Sequence, residues 1–158
     1  MNKFIKYFLL LALGVLIVLQ FIRPEPNNEG YETVVAFETE TTPSQEVKAI
    51  LKTNCYDCHS NQTQYPWYSY IAPFSYYLDD HIRHGKGDFN VSEWESYSAK
   101  KKDHKLEELI EMVEKGEMPL DSYTWIHGDL EKEDQKTLLE WATLARLKYA
   151  DQLKISSQ

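Results

Sequence analysis

Two cysteines and one histidine stand within five consecutive residues, which read CYDCH from residue 55 to residue 59. Thiols three residues apart lie on roughly one helical turn, where both can reach the vinyl groups of a single porphyrin. The histidine that follows then lies under the iron and can ligate it through a ring nitrogen. The pattern predicts one covalent haem c, with thioethers at Cys55 and Cys58 and with His59 as the proximal iron ligand.

Three other chemistries use closely spaced cysteines. A disulfide between Cys55 and Cys58 would close a very small loop and would stabilise little. Zinc would need two further ligands at ordinary spacing, and a thioredoxin-like redox pair would need a βαβ context that the helical pattern of this chain does not offer. Because these are the only two cysteines, a disulfide scaffold and a four-thiolate cluster are both excluded.

The second axial ligand is predicted from a loop with the sequence GEMP at residues 116–119. Gly116 ends the preceding helix, and Pro119 forces Met118 toward an extended conformation. A methionine on such a loop can project into a haem crevice, where His/Met ligation raises the reduction potential relative to His/His ligation. Met118 is therefore the expected distal ligand, whereas Met112 is predicted to fill the core. The alternative distal ligands are His81, His84, His104 and His127.

Helix signals dominate the chain after residue 41. The residues at 42–45 predict the start of a helix, with the Thr42 hydroxyl as its cap and a proline and a glutamine in its first turn; a second helix is predicted over 73–84, ended by Gly85, and a capping box at 92–95. An amphipathic helix that stops at Gly116 is predicted from its apolar stripe of Leu106, Leu109, Ile110 and Val113. A last helix is predicted over 131–148, and its buried face consists of Leu138, Leu139, Trp141, Ala142, Ala145 and Tyr149. Strand signals are weak. The sequence predicts an all-α haem domain over residues 42–150, followed by a C-terminal tail at 151–158.

The amino terminus carries an apolar run over residues 7–22 that only Gln20 interrupts, and Lys3 and Lys6 precede it. Sixteen helical residues span about 24 Å, and Phe4 and Ile5 lengthen the run. A cleaved signal peptide would show small residues at its cleavage site, which are missing here. The sequence predicts an uncleaved transmembrane helix over residues 1–23. The positive-inside rule then puts the remaining chain on the periplasmic side of the inner membrane.

Residues 24–41 are rich in proline, asparagine and glutamate, and they predict a flexible tether with one short extended segment over 34–37. From Glu25 onward the chain has 14 basic and 25 acidic residues. Such a net negative body is repelled by phosphate backbones, so nucleic acid is excluded as a partner.

Seven of the thirteen residues from 65 to 77 are aromatic. These rings are predicted to wall the haem and fill the core, with a sugar-binding platform as the alternative. The run KKKDHK at 100–105 is the one basic cluster of an acidic domain. It is a solvated face, a docking site for an acidic redox partner or a contact for a haem propionate.

From Thr42 to Tyr149, the order of helix, C-x-x-C-H, variable middle, helix, Gly-x-Met-Pro loop and terminal helix resembles a class I cytochrome c. The chain is more closely similar to the bacterial haem-binding domain family of small membrane-anchored proteins, through the segments CYDCHSNQTQYPWYSYIAPFSYYLDDH, FNVSEW, HKLEELIEMVEKGEMPL and SYTWIHGDLEKEDQKTLLEWA. This resemblance implies Cys55 and Cys58 as thioether positions, His59 as proximal ligand and Met118 as distal ligand. It implies haem binding without naming a redox partner.

The expected function is that of a membrane-tethered monohaem cytochrome c, an electron carrier that serves unknown partner proteins in the periplasm. A haem peroxidase is an alternative, which needs an open sixth iron position and a polar group above it. No Arg-x-x-x-His pair is visible for that role. A gas or redox sensor is a further alternative, and it would need a separate output partner.

Overall fold

Helices build the domain. The computed structural model describes residues 2–156, and within them it contains α-helices and three short 3-10 helices but no strand. The 3-10 helices are Tyr31–Val34, Trp67–Tyr70 and Val91–Ser96. The α-helices are α1 (Lys3–Leu19), α2 (Val35–Thr41), α3 (Gln45–Asn54), α4 (Tyr56–His59), α5 (Phe74–Asp88), α6 (Ala99–Glu114), α7 (Asp121–His127) and α8 (Lys132–Ser156). The predicted all-α class is confirmed for this part of the chain.

The core lies where α2, α3, α6 and α8 meet the 3-10 helix Val91–Ser96. Trp94 is fully buried at its centre, and its ring makes edge-to-face contacts with Phe37, Phe89 and Tyr149. The face predicted for the last helix is the one that packs here, with these side chains buried or half-buried: Leu138, Leu139, Trp141, Ala142, Ala145 and Tyr149. The helix continues to Ser156, so the predicted tail from residue 151 is helical over 151–156.

The segment predicted to be a flexible tether is structured instead. Asn28 forms an isolated antiparallel bridge with Gln62, and the residues that follow build the 3-10 helix Tyr31–Val34 and then α2. The stretch 34–37, expected to be extended, is therefore helical. Phe37 is completely buried, and three aromatic rings from two distant parts of the chain contact it: Phe89, Trp94 and Trp141. The free energy gained by burying these apolar side chains orders the segment, although its neighbouring residues have the composition of a flexible linker.

Helix α3 begins two residues later than predicted. Ser44 is its N-cap, with Oγ accepting a hydrogen bond of 3.2 Å from the Val47 N–H. Thr42, the expected cap, has a left-handed backbone (φ 48°) and ends α2. Ser44 caps α3 in place of Thr42, because Thr42 forms the left-handed turn that ends α2.

The capping box predicted at 92–95 does not form. These residues lie in the 3-10 helix Val91–Ser96, which Asn90 caps by accepting from the Ser92 N–H. The following helix, α6, starts at Ala99 and has Ser98 as its N-cap. The fully buried ring of Trp94 holds the segment 91–96 in its tight turns.

Helix α6 ends as predicted. Gly116 takes a positive φ of 69°, its N–H donates to the Val113 carbonyl, and the Glu117 N–H donates to the Met112 carbonyl at 2.9 Å. These two bonds form a Schellman motif, in which glycine supplies the left-handed residue. The motif reverses the chain and leads directly into the loop that carries Met118.

Helix α1 stands apart from this core. It has no buried residue, and most of its apolar side chains are exposed. Over residues 2–156, no helix combines the length and the apolar character needed to cross a membrane. The predicted transmembrane helix is therefore not supported by the structure.

Candidate functional site

The two cysteines lie at the junction between α3 and α4. Cys55 interrupts the helix with backbone angles of φ −126° and ψ −46°, and a single turn, Tyr56–His59, follows. The N–H groups of Cys58 and His59 both donate to the Cys55 carbonyl, at 3.2 and 2.9 Å. Both thiols and the imidazole therefore belong to one short turn, as the spacing predicts.

Both cysteines are free thiols and half-buried. Burial raises the pKa of Cys55 to about 12 and that of Cys58 to about 11. At neutral pH both side chains are thus protonated. The structure does not contain the disulfide that was considered as an alternative.

The imidazole of His59 is held from one side. Its Nδ1 lies 2.9 Å from the Phe89 carbonyl oxygen and 3.0 Å from the Gly85 carbonyl oxygen. A carbonyl oxygen can only accept, so Nδ1 carries the proton and Nε2 is the unprotonated, electron-pair donor. Burial lowers the pKa of His59 despite these two hydrogen bonds, which favours the neutral ring. This is the arrangement that orients a metal-ligating histidine.

Gly85 makes this arrangement possible by its lack of a side chain. A Cβ atom at residue 85 would lie 2.7 Å from the Cys58 carbonyl oxygen and 3.1 Å from the Cys58 Cβ. Without that atom, α5 lies directly against α4. Gly85 was predicted to end its helix, and this was wrong, because α5 continues to Asp88 and uses the glycine for close packing.

A cavity of about 340 Å³ opens beside the motif. This volume is in the range of small-molecule and cofactor sites. Cys55, His59 and Met118 line it together with mainly apolar side chains, among them Leu51, Tyr56, Phe89, Val91, Leu109, Met112, Val113, Leu130 and Leu138. Charged residues at the wall include Asp88, Lys105 and Glu108. The cavity thus combines an apolar wall with sulfur and imidazole donors.

A second cavity of about 300 Å³ adjoins the first. Cys58 lines this one, whereas Cys55 lines the first. The two cavities therefore form the two halves of one crevice, since they share five wall residues: Asn54, His59, Asp88, Met118 and Pro119. We call this the motif crevice. It brings all four predicted site residues together.

Met118 is half-buried and packs against the core from its loop. It lines both halves of the motif crevice, as its prediction as an axial ligand requires. Met112, predicted to be core filler, also lines the first half of the crevice. The structure therefore offers a second thioether at the same wall.

The remaining histidines divide into two groups. His81 and His84 line the second half of the motif crevice from α5, where each Nδ1 lies 2.8 Å from the carbonyl oxygen four residues earlier. His104 lies near Glu107 and Glu108 on α6, and His127 stacks on Tyr123 at 4.2 Å. Neither of these last two lines the crevice.

The aromatic rings of residues 65–77 do not wall the crevice. None of them lines either cavity, and Trp67 is 77 % exposed. The aromatic wall comes instead from Tyr56, Phe89 and Tyr123. Tyr123 donates to the Thr53 carbonyl at 2.6 Å and so ties α7 to the end of α3. No local pattern around Phe89 or Tyr123 marks them as crevice residues.

The basic run at 100–105 is largely used inside the domain. Lys102 pairs with Glu40 at 2.7 Å, and the Lys101 ammonium lies 3.6 Å from the centre of the Tyr97 ring. Lys105 pairs with Glu108 at 2.6 Å, and both line the motif crevice. Of the three roles considered for this run, contact with a bound group in the crevice is open to Lys105.

A zinc site is the remaining alternative at the cysteines. In the described part of the chain, no three side chains of the types His, Cys, Asp and Glu are grouped so that they could hold a metal ion. Cys55 and Cys58 lack the further ligands that tetrahedral zinc needs.

Comparison with known proteins identifies the family. No curated protein and no solved structure is similar to this chain at a significant level. The sequence pattern of one family, described as a haem-binding domain, matches residues 14–144, which is most of the chain and includes the whole motif crevice. The chain therefore belongs to the haem-binding domain family.

Proposed function

We propose that this protein is a monohaem c-type cytochrome that carries single electrons. One observation supports this most directly. The motif crevice combines both thiols, a histidine whose Nδ1 is fixed by two carbonyl oxygens, and a loop methionine. A carrier needs a haem that stays attached and two axial donors that persist in both oxidation states, and these residues can supply both.

The residues of the crevice fit a haem. Its apolar wall suits a flat hydrophobic ring, and its neutral imidazole and thioethers suit iron. Cys55 and Cys58 both line the crevice, so each would be available to one vinyl group of a haem bound there. The Lys105 ammonium can pair with a propionate at the wall.

Each residue has a defined task in this proposal. Cys55 and Cys58 would hold the haem as thioethers, each formed by addition of the thiol S–H across one vinyl group, with sulfur and hydrogen both going to carbon. His59 would hold the iron through Nε2, because the carbonyl oxygens of Gly85 and Phe89 accept from its Nδ1–H. Met118 would hold the same iron through its sulfur. When bound, the haem supplies an iron that accepts and releases one electron.

We also propose that the protein is attached to a membrane and that its haem domain lies outside the cytoplasm. Haem c attachment takes place in that compartment, and Lys3 and Lys6 precede the apolar run over residues 7–22. Apart from Lys3 and Lys6, the solvent-facing side chains of α1 are mainly apolar, and lipid is the surface that would cover them. The positive-inside rule predicts that the haem domain lies on the periplasmic side of an inner membrane.

The first experiment tests covalent attachment. The full chain is produced in a host with a working haem c maturation system, and its intact mass and its oxidised and reduced absorption spectra are recorded. We expect the added mass of one haem, which persists after denaturation. The Cys55→Ser and Cys58→Ser variants should each lose one thioether and hold the haem less firmly. A haem-free mass for the unmodified chain would refute the proposal.

The second experiment tests electron carriage against an open iron site. Oxidised protein should be low-spin and show the weak sulfur-to-iron absorption band, which Met118→Ala should abolish while Met112→Ala retains it. The reduced protein should not bind carbon monoxide, whereas Met118→Ala should. Rapid carbon monoxide binding by the unmodified protein would favour the peroxidase or sensor alternatives. Loss of the band only in Met112→Ala would assign the ligand to the other thioether.

A further inference from the structure

A group of exposed aromatic and aliphatic side chains lies at the start of α5 and in the 3-10 helix before it. Their exposed fractions are 77 % for Trp67, 54 % for Tyr70, 42 % for Ile71, 57 % for Phe74 and 54 % for Tyr77. We call these five residues the aromatic face. Soluble domains seldom leave so many large apolar side chains together at their surface, and such patches mark interaction sites.

The aromatic face lies in a stretch without charge. Residues 60–78 contain no Asp, Glu, Lys, Arg or His, although 27 % of the whole chain is charged. A surface that recognises another protein through steering charges would be expected to carry some of them. An uncharged surface rich in Trp and Tyr, with apolar rings and polar tips, is instead typical of the boundary between lipid and water.

Helix α1 ends against this same region. The Gln20 side chain makes hydrogen bonds with both backbone groups of Ala72. Gln20 Nε2 donates to the Ala72 carbonyl oxygen at 3.3 Å, and the Ala72 N–H donates to Gln20 Oε1 at 3.1 Å. The Tyr76 hydroxyl donates to the Ile22 carbonyl. Gln20, the one polar residue in the apolar run, thus fixes the end of α1 to the residues between Ile71 and Phe74.

We propose that the aromatic face lies in the lipid–water interface of the membrane with which α1 associates, so that the haem domain rests on the lipid surface in one orientation. The inference depends on the proposed membrane attachment of α1 and adds a second contact to it. Exposed Phe21 and Ile22 connect the two apolar surfaces.

This contact would set the direction of the motif crevice. Helix α5 carries Phe74 and Tyr77 near its beginning and supplies the Gly85 carbonyl to His59 near its end. A domain held by α5 therefore presents the haem at a constant angle to the membrane.

The experiment uses the full chain with haem and vesicles of phosphatidylcholine and phosphatidylglycerol. Three variants place a photoreactive residue at exposed positions: Trp67→p-benzoylphenylalanine, Phe74→p-benzoylphenylalanine and, as the matched control, Leu144→p-benzoylphenylalanine. Leu144 is 68 % exposed and lies on α8, which packs on α3 and α6. Each variant is checked by its haem spectrum, floated with vesicles and illuminated, and the adducts are identified by mass.

We expect all three variants to float and lipid adducts to form at positions 67 and 74 but not at 144. Flotation without lipid adducts at 67 and 74 would overturn this inference and leave the attachment of α1 intact. Adducts with a second copy of the chain would also overturn it, because the face would then be a protein interface. Equal lipid labelling at position 144 would overturn the inference, because the domain would then contact lipid in more than one orientation. Failure to float would refute the membrane attachment and this inference together.

Discussion

Replacing Gly85 by alanine tests how α5 supports the motif. The new Cβ would lie 2.7 Å from the Cys58 carbonyl oxygen, so the clash is with backbone and cannot be relieved by rotating a side chain. Overpacking of this kind typically costs about 1–3 kcal/mol of unfolding free energy. Alanine also restores about 1 kcal/mol of helix propensity relative to glycine, which partly conceals the loss.

Gly87 provides the matched control for this experiment. It lies in the same helix, and a Cβ there meets no atom within 4 Å. Both variants gain helix propensity, but only Gly85→Ala introduces the clash. The difference between them is therefore expected to be about 1–3 kcal/mol, with Gly85→Ala the less stable.

Urea unfolding of both variants, followed by far-ultraviolet circular dichroism, measures this difference. Gly85→Ala should also change the haem spectrum, because separating α4 from α5 weakens the hydrogen bond between His59 Nδ1 and the residue 85 carbonyl. Equal stability of the two variants, or a haem spectrum unchanged in Gly85→Ala, would refute the close packing described here.

Three further changes test other parts of the structure. Phe37→Ala should lower the unfolding free energy by about 3–5 kcal/mol in the same urea assay, since the ring is fully buried, whereas a residue in a flexible tether would show no effect. Burial alone would raise the pKa of Glu40, but its hydrogen bonds and the charge of Lys102 outweigh burial, so its pKa is lowered. The stability that this carboxylate contributes is present above its usual pKa of 4.5 and is lost as the pH falls through the lowered pKa. Glu40→Gln should therefore make the unfolding free energy, measured by urea at a series of acid pH values, depend less on pH. Tyr123→Phe removes the hydrogen bond to the Thr53 carbonyl and should cost about 0.5–1.5 kcal/mol in the urea assay, and an unchanged unfolding midpoint would contradict the link between α7 and α3.

Features encoded in neighbouring residues could be predicted. The motif at 55–59 places its thiols and imidazole on one turn, because helix geometry relates residues three and four apart. The end of α6 at Gly116 and the buried face of α8 follow from equally local rules. The cap of α3 was misplaced by two residues, since two hydroxyls compete there and the turn at Thr42 decides between them.

Features that depend on distant partners could not be predicted. Residues 24–41 resemble a linker in composition, and Phe37 is drawn into the core only because Phe89, Trp94 and Trp141 surround it. The aromatic residues 65–77 were expected at the haem, but the surface available to them lies outside the crevice. Hydrophobicity shows that a side chain avoids water without showing what covers it.

The chemistry of this site can be recognised in the chain itself, because cysteine, histidine and methionine differ from all other residues in what they can donate to a haem. The sequence alone predicts Cys55, Cys58, His59 and Met118 as the donors. Their environment is a property of the tertiary structure. The groups that hold His59 are backbone carbonyls, which every residue possesses, and only the packing of α5 against α4 selects those of Gly85 and Phe89.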